Sequence, residues 1–328
     1  MSDIKDIELS GFGNGLIDIL LNVEDSDLIK LNLTKGTMSL IDDDKSKEIL
    51  NYYRDYKLKY MSGGSAANSI IAYAQLGGKA AYNTFLGDDK LGGFYADEFN
   101  VLGIQLNAGR TNSMQTGTCI VLITPDSERT MLTNLAATSL FNTENIKEDL
   151  IKKSEWIYIE GYHFSQQLSS DAVFKATELS KKHNTKISVT FSDTFITDVF
   201  RDNLMKVAKN ADLIFCNNVE AMNFAKTDSL DKAINFLDSL VPNYAITLGA
   251  EGSIIKWNGK IYNIKPYKAN LVDTTGAGDM YAGTFLYSMI KGDNIEKAGS
   301  LASLASSKIV SQIGPRAQFD IKSIYNEL

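Results

Sequence analysis

The sequence is poor in the residues that staple, rigidify or bind metals: two cysteines, four prolines and two histidines among 328 residues. Cys119 and Cys216 each lie in an apolar run, 118–124 and 212–216, that reads as buried strand, and no Cys-x-x-Cys spacing occurs. This argues against a disulfide framework or a thiolate metal site and predicts two free buried thiols. His163 and His183 are too few for a histidine metal site. No stretch approaches the ~20 apolar residues of a membrane span, and the segment Met1 to Glu8 carries acids where a signal peptide carries cations and then an apolar run. The expectation is a cytoplasmic protein with no membrane partner. Forty acids against 33 bases give a net charge of −7, and no Lys/Arg run alternates with aromatics, so nucleic acid is not an expected partner. A polyanionic ligand must then be drawn by local amides or by a placed cation, and only five arginines exist to supply one.

What is present is the composition of an ordinary globular protein: 44% hydrophobic, 22% charged and 24 glycines. A chain of this length buries about 75% of its unfolded surface and needs no staples. Short apolar runs alternate with segments of helical period, the pattern of an α/β protein with helices on both faces of a mainly parallel sheet. The expected strands are Ile7 to Gly11, Ala80 to Phe85, Trp156 to Ile159, Lys186 to Val189, Leu213 to Cys216 and Ala245 to Leu248. The expected helices are Ser65 to Leu76 (with Ser65 as N-cap), Asp171 to His183, Asp198 to Lys209, Leu230 to Leu240, Gly278 to Ile290 and Ile295 to Val310. Two regions break the rhythm and read as antiparallel ribbon: Ile17 to Ile41, and Thr116 to Leu132 around the turn Pro125 to Glu128. The predicted division is a core of residues 1–16, 42–110 and 133–328, and a small β lid of residues 17–41 and 111–132. An edge extension or a dimer interface is the other reading of that ribbon, so monomer and homodimer both stay open.

The most informative segment is Asp273-Thr-Thr-Gly-Ala-Gly-Asp279, which follows a strand-like Asn270 to Val272 and opens a helix. Small residues before a helix let its free N–H groups and positive end crowd an anion, so Gly276, Ala277 and Gly278 read as a phosphate cradle and anion hole. An aspartate at the lip of such a cradle repels the anion the loop attracts. Asp279 is therefore expected to act as general base toward an attacking hydroxyl, the plainer reading being an N-cap in a Gly-rich turn.

Together with Met61-Ser-Gly-Gly-Ser-Ala-Ala-Asn68, this loop makes the chain resemble the pfkB (ribokinase/adenosine kinase) family of small-molecule kinases, from about Gly11 to Gln318. The resemblance implies a ribokinase-like three-layer α/β/α core with a small β-sheet lid. It also implies a sugar-binding role for Gly63, Gly64 and Asn68, and Asp279 as the base. Gly13-Asn-Gly-Leu-Ile-Asp18 is similar to the adenosine kinase branch, where the equivalents of Asn14 and Asp18 hold a ribose; it is a poor dinucleotide fingerprint, with Asp18 where a small residue is required, and there is no P-loop.

Further likenesses point to ATP and Mg²⁺. Asn217 and Glu220 match a motif acting through water on Mg²⁺, and hard oxygen ligands with retained waters suit that ion. Thr247, Gly249 and Gly252 match a nucleotide loop. Asp273, Thr275 and the segment Gly314 to Ala317 fall where many members bind a monovalent cation such as K⁺. Arg129, in a run that resembles adenosine kinases through Asn134 to Ala137, is expected to clamp the transferring phosphoryl group. Tyr162 and His163 fall where a purine would stack. The first functional reading is phosphorylation of a nucleoside 5′-hydroxyl, adenosine to AMP. A sugar kinase of the same family is the alternative, and a catalytically silent binder the third.

Overall fold

The computed structural model describes residues 5–126 and 128–328; Met1 to Ile4 and Ser127, the latter inside the expected turn Pro125 to Glu128, lie outside the described residues. Two sheets organise the chain. The larger runs in the order β14-β13-β12-β11-β10-β9-β1-β5-β6, from β1 (Ile7–Phe12), β5 (Ala80–Gly87), β6 (Gln105–Thr111), β9 (Ser154–Glu160), β10 (Lys186–Thr190), β11 (Leu213–Asn217), β12 (Tyr244–Thr247), β13 (Ser253–Trp257) and β14 (Lys260–Ile264). It is parallel from β12 to β6, and only the β12–β13–β14 hairpins are antiparallel. Both faces are covered, which is why its central strands read as unbroken apolar runs. Helices Ser65–Gln75, Lys90–Val101, Ala277–Ile290 and Ile295–Ile309 pack on one face, and Gln167–Lys182, Arg201–Ala208, Asn218–Ala225 and Leu230–Leu240 on the other.

The smaller sheet runs β3-β8-β7-β2-β4, from β2 (Leu16–Asn22), β3 (Met38–Leu40), β4 (Lys59–Gly63), β7 (Gly117–Ile123) and β8 (Arg129–Asn134). It departs from the expected ribbon in three ways. β2 pairs parallel with β7, and β3 with β8; β1 and β6 end at the same edge of the parallel sheet, so the strands that follow each of them enter the small sheet in the same direction. Within 17–41 the chain also forms a helix, Asp25–Lys30. The outer strand β4, inside the span 42–110 expected in the core, pairs with β2, because the glycine-rich end of the first signature is extended rather than looped.

Three local differences have clear causes. The expected helix from Asp198 to Lys209 is two, Thr194–Val199 and Arg201–Ala208, broken at Phe200, whose φ of −110° and ψ of 21° leave the helical region. Asn270 to Val272 forms no strand; the N–H groups of Val272 and Asp273 instead donate to the Val310 carbonyl. Ser65 is not the N-cap of its helix: Gly64 is, at φ +103°. A side chain there would strike the Asn14 carbonyl oxygen at 2.2 Å, so only glycine fits.

Helices Ser65–Gln75 and Ala277–Ile290 approach closely at Gly283, where an added Cβ would lie 2.2 Å from the Ser69 carbonyl oxygen. One turn toward the N-terminus of each lie Ser65 and Asp279, so this contact sets their separation. Gly283→Ala is expected to lower the unfolding free energy by about 1–3 kcal/mol through overpacking, with a fall in turnover as well. Gly93→Ala, at a helical site where a Cβ meets nothing within 4 Å, serves as control and is expected to be neutral or slightly stabilising. Denaturant titration and steady-state rates check both; equal behaviour of the two variants contradicts the packing account.

Candidate active site

Asp279 is the third residue of its helix, and the cap before it is Gly276 in the left-handed region at φ +76°, with no side-chain cap. The first amides of this helix therefore meet no side-chain acceptor at the cap, although the Ala277 N–H donates to the Thr274 carbonyl at 3.2 Å, and a Cβ on Gly278 would meet nothing within 4 Å. That is an open, positively polarised helix end, as the Gly276–Ala277–Gly278 cradle requires. The half-buried carboxylate of Asp279 accepts hydrogen bonds from the Ser65 hydroxyl at 2.6 Å and from Asn68 Nδ2 at 3.0 Å. Burial pushes its pKa up to about 6, and the two hydrogen bonds pull against that rise. A base poised there is ionised at neutral pH yet basic enough to take a proton. Asn68, expected to touch substrate, thus first holds the base. Its Oδ1 is buried with no protein partner.

Gly63, Gly64 and the segment after β1 close around a second carboxylate. A Cβ on Gly63 would lie 2.3 Å from Asp18 Oδ1, so glycine makes room for that side chain, as Gly64 makes room for the Asn14 carbonyl. Asp18 faces Met61 and Cys119 across the small sheet. Burial raises its pKa to about 7; Arg316 and Arg129 oppose this and Asp279 adds to it. Arg316 donates to the carbonyl and, at 2.6 Å, to the hydroxyl of Ser62.

Arg129 does not hang over the cradle as a free clamp. It is 8% exposed and pairs with Asp273, itself 4% exposed, which joins the small sheet to the anion loop. Oδ1 of Asp273 also accepts the Thr275 N–H at 2.9 Å and Oδ2 the Gly314 N–H at 2.7 Å. The expectation of a monovalent cation at Asp273 and Thr275 meets a carboxylate whose oxygens are already used, in part by a guanidinium that brings the positive charge.

On the purine side the two expected residues separate. Tyr162 is half-buried, its phenol pKa raised by burial and by the carboxylates of Asp193, Glu160, Asp279 and Glu220, which places it among the site's acids. His163 is 0% exposed and stacks on Phe141 with ring centroids 5.1 Å apart; burial depresses its pKa to about 4. It offers no face to a ligand, because the short helix Gly161–Ser165 turns it inward. Asn14 donates from Nδ2 to Glu160 at 2.8 Å, so its amide is held by protein.

On the nucleotide side, Asn217 and Thr247 stand beside each other at the C-terminal ends of β11 and β12, the edge at which open α/β sheets take ligands. Asn217 and Glu220 form a capping box: Asn217 Oδ1 accepts the Glu220 N–H at 2.8 Å, and Glu220 Oε2 accepts the Asn217 N–H at 2.9 Å. Burial and the nearby charges of Asp193 and Asp279 raise the Glu220 pKa to about 7. Gly249, at φ +60°, has nothing within 4 Å of a would-be Cβ, whereas Gly252, at φ +95°, is required by the Ile264 carbonyl 2.1 Å from its own. Gly252 is thus a turn residue. Among the described residues, no group of three or more His, Cys, Asp or Glu is placed to hold a metal by itself.

The profile of the pfkB family of carbohydrate kinases matches residues 37–322. The chain belongs to the pfkB family. Adenosine kinase 2 of Arabidopsis thaliana is 27% identical over 328 residues, covering 93% of this chain and 94% of its own. A 5-dehydro-2-deoxygluconokinase of Listeria innocua is 30% identical over 276 residues, covering 77% and 82%. Among solved structures, a probable sugar kinase from Rhizobium etli superposes with a TM-score of 0.92 at 28% identity over 99% of both chains. Adenosine kinase from Sinorhizobium meliloti gives 0.90 at 30% identity over 98% of this chain and 99% of its own. The three-layer core with its small second sheet is the ribokinase-like fold, and the chain is a phosphotransferase acting on a hydroxyl group.

In this pfkB kinase, reading motifs one at a time missed Ser65, Glu160 and the Arg316–Ser62 contact. Ser65 stands inside the first signature, where a serine before a helix reads as a cap; Glu160 directly follows the apolar run 156–159, an acid where the strand should end in a turn residue. The Arg129–Asp273 pair yields a stability test. Asp273→Asn leaves a buried guanidinium without its counter-charge and is expected to cost about 3–5 kcal/mol, read by chemical denaturation; adding Arg129→Met to the same chain recovers part of it. A loss below about 1 kcal/mol, the range of exposed pairs, would mean the pair is solvated in solution.

Proposed function

We propose that the chain transfers the γ-phosphoryl group of Mg·ATP to the 5′-hydroxyl of a nucleoside, with adenosine the favoured acceptor. The observation that carries this is Asp279, held by Ser65 and Asn68 in the first turn of a helix that has no side-chain cap at its N-terminus. Bound Mg·ATP supplies the transferable phosphoryl group and a cation on its phosphate oxygens. Gly276 and Gly278 offer backbone N–H groups to the charge that develops on the transferred group, and Ala277 adds its own only by releasing the Thr274 carbonyl. Asp279 accepts the hydroxyl proton as the new P–O bond forms and the bond to the β-phosphate oxygen breaks, leaving ADP and a nucleoside monophosphate.

The acceptor is oriented by Asp18, whose carboxylate suits two vicinal hydroxyls, and by the unpartnered Oδ1 of Asn68. Gly63 and Gly64 admit these groups by leaving out side chains. Tyr162 stands for the base side of the pocket; His163 has no part in it. Asn217 and Glu220 act on the metal through water, their capping box fixing both side chains, while Thr247 and Gly249 border the phosphates. Arg129 reaches the phosphoryl group only by leaving Asp273, so nucleotide binding and lid rearrangement are coupled through that pair.

The adenosine kinases of Arabidopsis thaliana and Sinorhizobium meliloti support the nucleoside reading. A sugar acceptor is the second reading, favoured by the inward turn of His163 and by the likeness to a 5-dehydro-2-deoxygluconokinase and a probable sugar kinase. An ADP-release assay with adenosine, guanosine, inosine, cytidine, ribose, fructose and tagatose 6-phosphate separates them. The nucleoside reading expects kcat/KM for adenosine about a hundredfold or more above every sugar, since a purine pocket adds contacts a sugar cannot make; a sugar in first place overturns it. In either case Asp279→Asn is expected to lower kcat by about 10²- to 10⁴-fold, the usual worth of a general base, and to leave acceptor affinity little changed. Retention of more than a tenth of the rate removes Asp279 from that role.

A further inference from the structure

Glu160 is the last residue of β9 and 1% exposed, and none of the steps above employs it. Its carboxylate is saturated by N–H donors from two distant parts of the chain. Oε1 accepts Asn14 Nδ2 at 2.8 Å and the Asn14 N–H at 3.3 Å; Oε2 accepts the Ala66 N–H at 2.9 Å. The surroundings are built around it. Gly13 lacks a side chain where a Cβ would lie 2.6 Å from Oε2 and 2.5 Å from the Tyr82 hydroxyl, and that hydroxyl donates to the Asn14 carbonyl at 3.2 Å. Thr138 fixes the other end of the Asn14 amide, donating to its Oδ1 at 3.2 Å. Ala66 is the second residue of helix Ser65–Gln75, so the carboxylate also places a negative charge at that helix's positive end.

The first turn of the same helix carries Ser65 and Asn68, the two donors that hold Asp279. We infer that Glu160 is a positioning residue for phosphoryl transfer: it locks the Gly13–Gly15 loop to the first turn of helix Ser65–Gln75, and through Ser65 and Asn68 fixes where the Asp279 carboxylate stands. This rests on Asp279 being the base. Glu160 itself touches no substrate, since both its oxygens are spent on protein and its surface is closed. Its role differs from that of an ordinary buried ion, which would be matched by a cation; here three fixed N–H groups do the matching, and each belongs to a segment bearing site residues.

Glu160→Gln is nearly the same shape, but whichever way its amide points, an NH₂ meets N–H donors, from Ala66 on one side or Asn14 on the other. In phosphoryl transfer from ATP to adenosine, or to a sugar if that is the faster acceptor, this variant is expected to lose at least tenfold in kcat with the KM for ATP changed less than twofold. In the Asp279→Asn background the same substitution is expected to change the residual rate less than twofold, because the base whose placement it disturbs is already gone. An equal loss in both backgrounds, or an unchanged kcat beside a lowered melting temperature, overturns the inference and leaves Glu160 a structural residue. If the glutamine chain does not fold, Glu160→Asp, which keeps the charge but withdraws it by one methylene, takes the same two-background comparison. The Asp279→Asn single variant reads the base assignment separately, so a wrong base and an idle Glu160 give different results.

Discussion

The site depends on one close contact between two helices. Gly283 lets helix Ala277–Ile290 lie with its backbone against the Ser69 carbonyl, and one turn away the same approach brings the Asp279 carboxylate onto the Ser65 hydroxyl and the Asn68 amide. One helix carries Asp279 and the loop proposed to cradle an anion; the other carries Ser65 and Asn68, which orient the Asp279 carboxylate. The parallel sheet beneath serves to present both N-termini at the same edge, next to the loops after β11 and β12. A residue one methyl larger at position 283 would strike the Ser69 carbonyl and push Asp279 away from Ser65 and Asn68.

Charge is used sparingly around that contact. In a chain of net charge −7 with five arginines, two of the five are drawn inward at the junction of the two sheets, Arg129 onto Asp273 and Arg316 onto Ser62 beside Asp18. The acids outnumber them. Asp18, Glu160, Glu220 and Asp279 all have pKa values raised by burial, to about 6 or 7, so under the proposed function a polyphosphate must be received by backbone amides and not by a field of side-chain cations. Groups this close titrate together, and a variant at one shifts the others.

Much of this was legible in the order of residues. Apolar runs bounded by turn residues located six of the strands of the large sheet within two or three residues, because strands buried on both faces leave an unmistakable pattern. The glycine loop ending at Asp279 was equally plain, since small residues before a helix have a local physical meaning. What was hidden is non-local. The small sheet takes β4 from the first signature and pairs β2 with β7 in parallel, which follows from where the strands leave the core and not from their composition. Arg129 looked like a free cation because nothing nearby in sequence announces Asp273, 144 positions away by number. His163 looked available because a strand end usually is; a short helix there turned it into the core. Gly63 and Gly64 read as substrate contacts and Gly252 as part of a nucleotide loop, whereas the groups that crowd them within the protein are Asp18, the Asn14 carbonyl and the Ile264 carbonyl.

The central claim is that Asp279 takes the proton and that the neighbouring helix tunes it. The measurement that tests this most directly is the pH dependence of kcat/KM for the wild-type chain and for Ser65→Ala. The Ser65 hydrogen bond favours the ionised carboxylate, so its loss raises the Asp279 pKa above its value of about 6. The rate falls as pH drops through that pKa, because only the ionised base accepts a proton. The acid limb is therefore expected near pH 6 in the wild type and about one unit higher in Ser65→Ala, the equivalent of one charge-assisted hydrogen bond. An acid limb that does not move would assign the titrating group to Asp18, Glu160 or Glu220 and contradict the account.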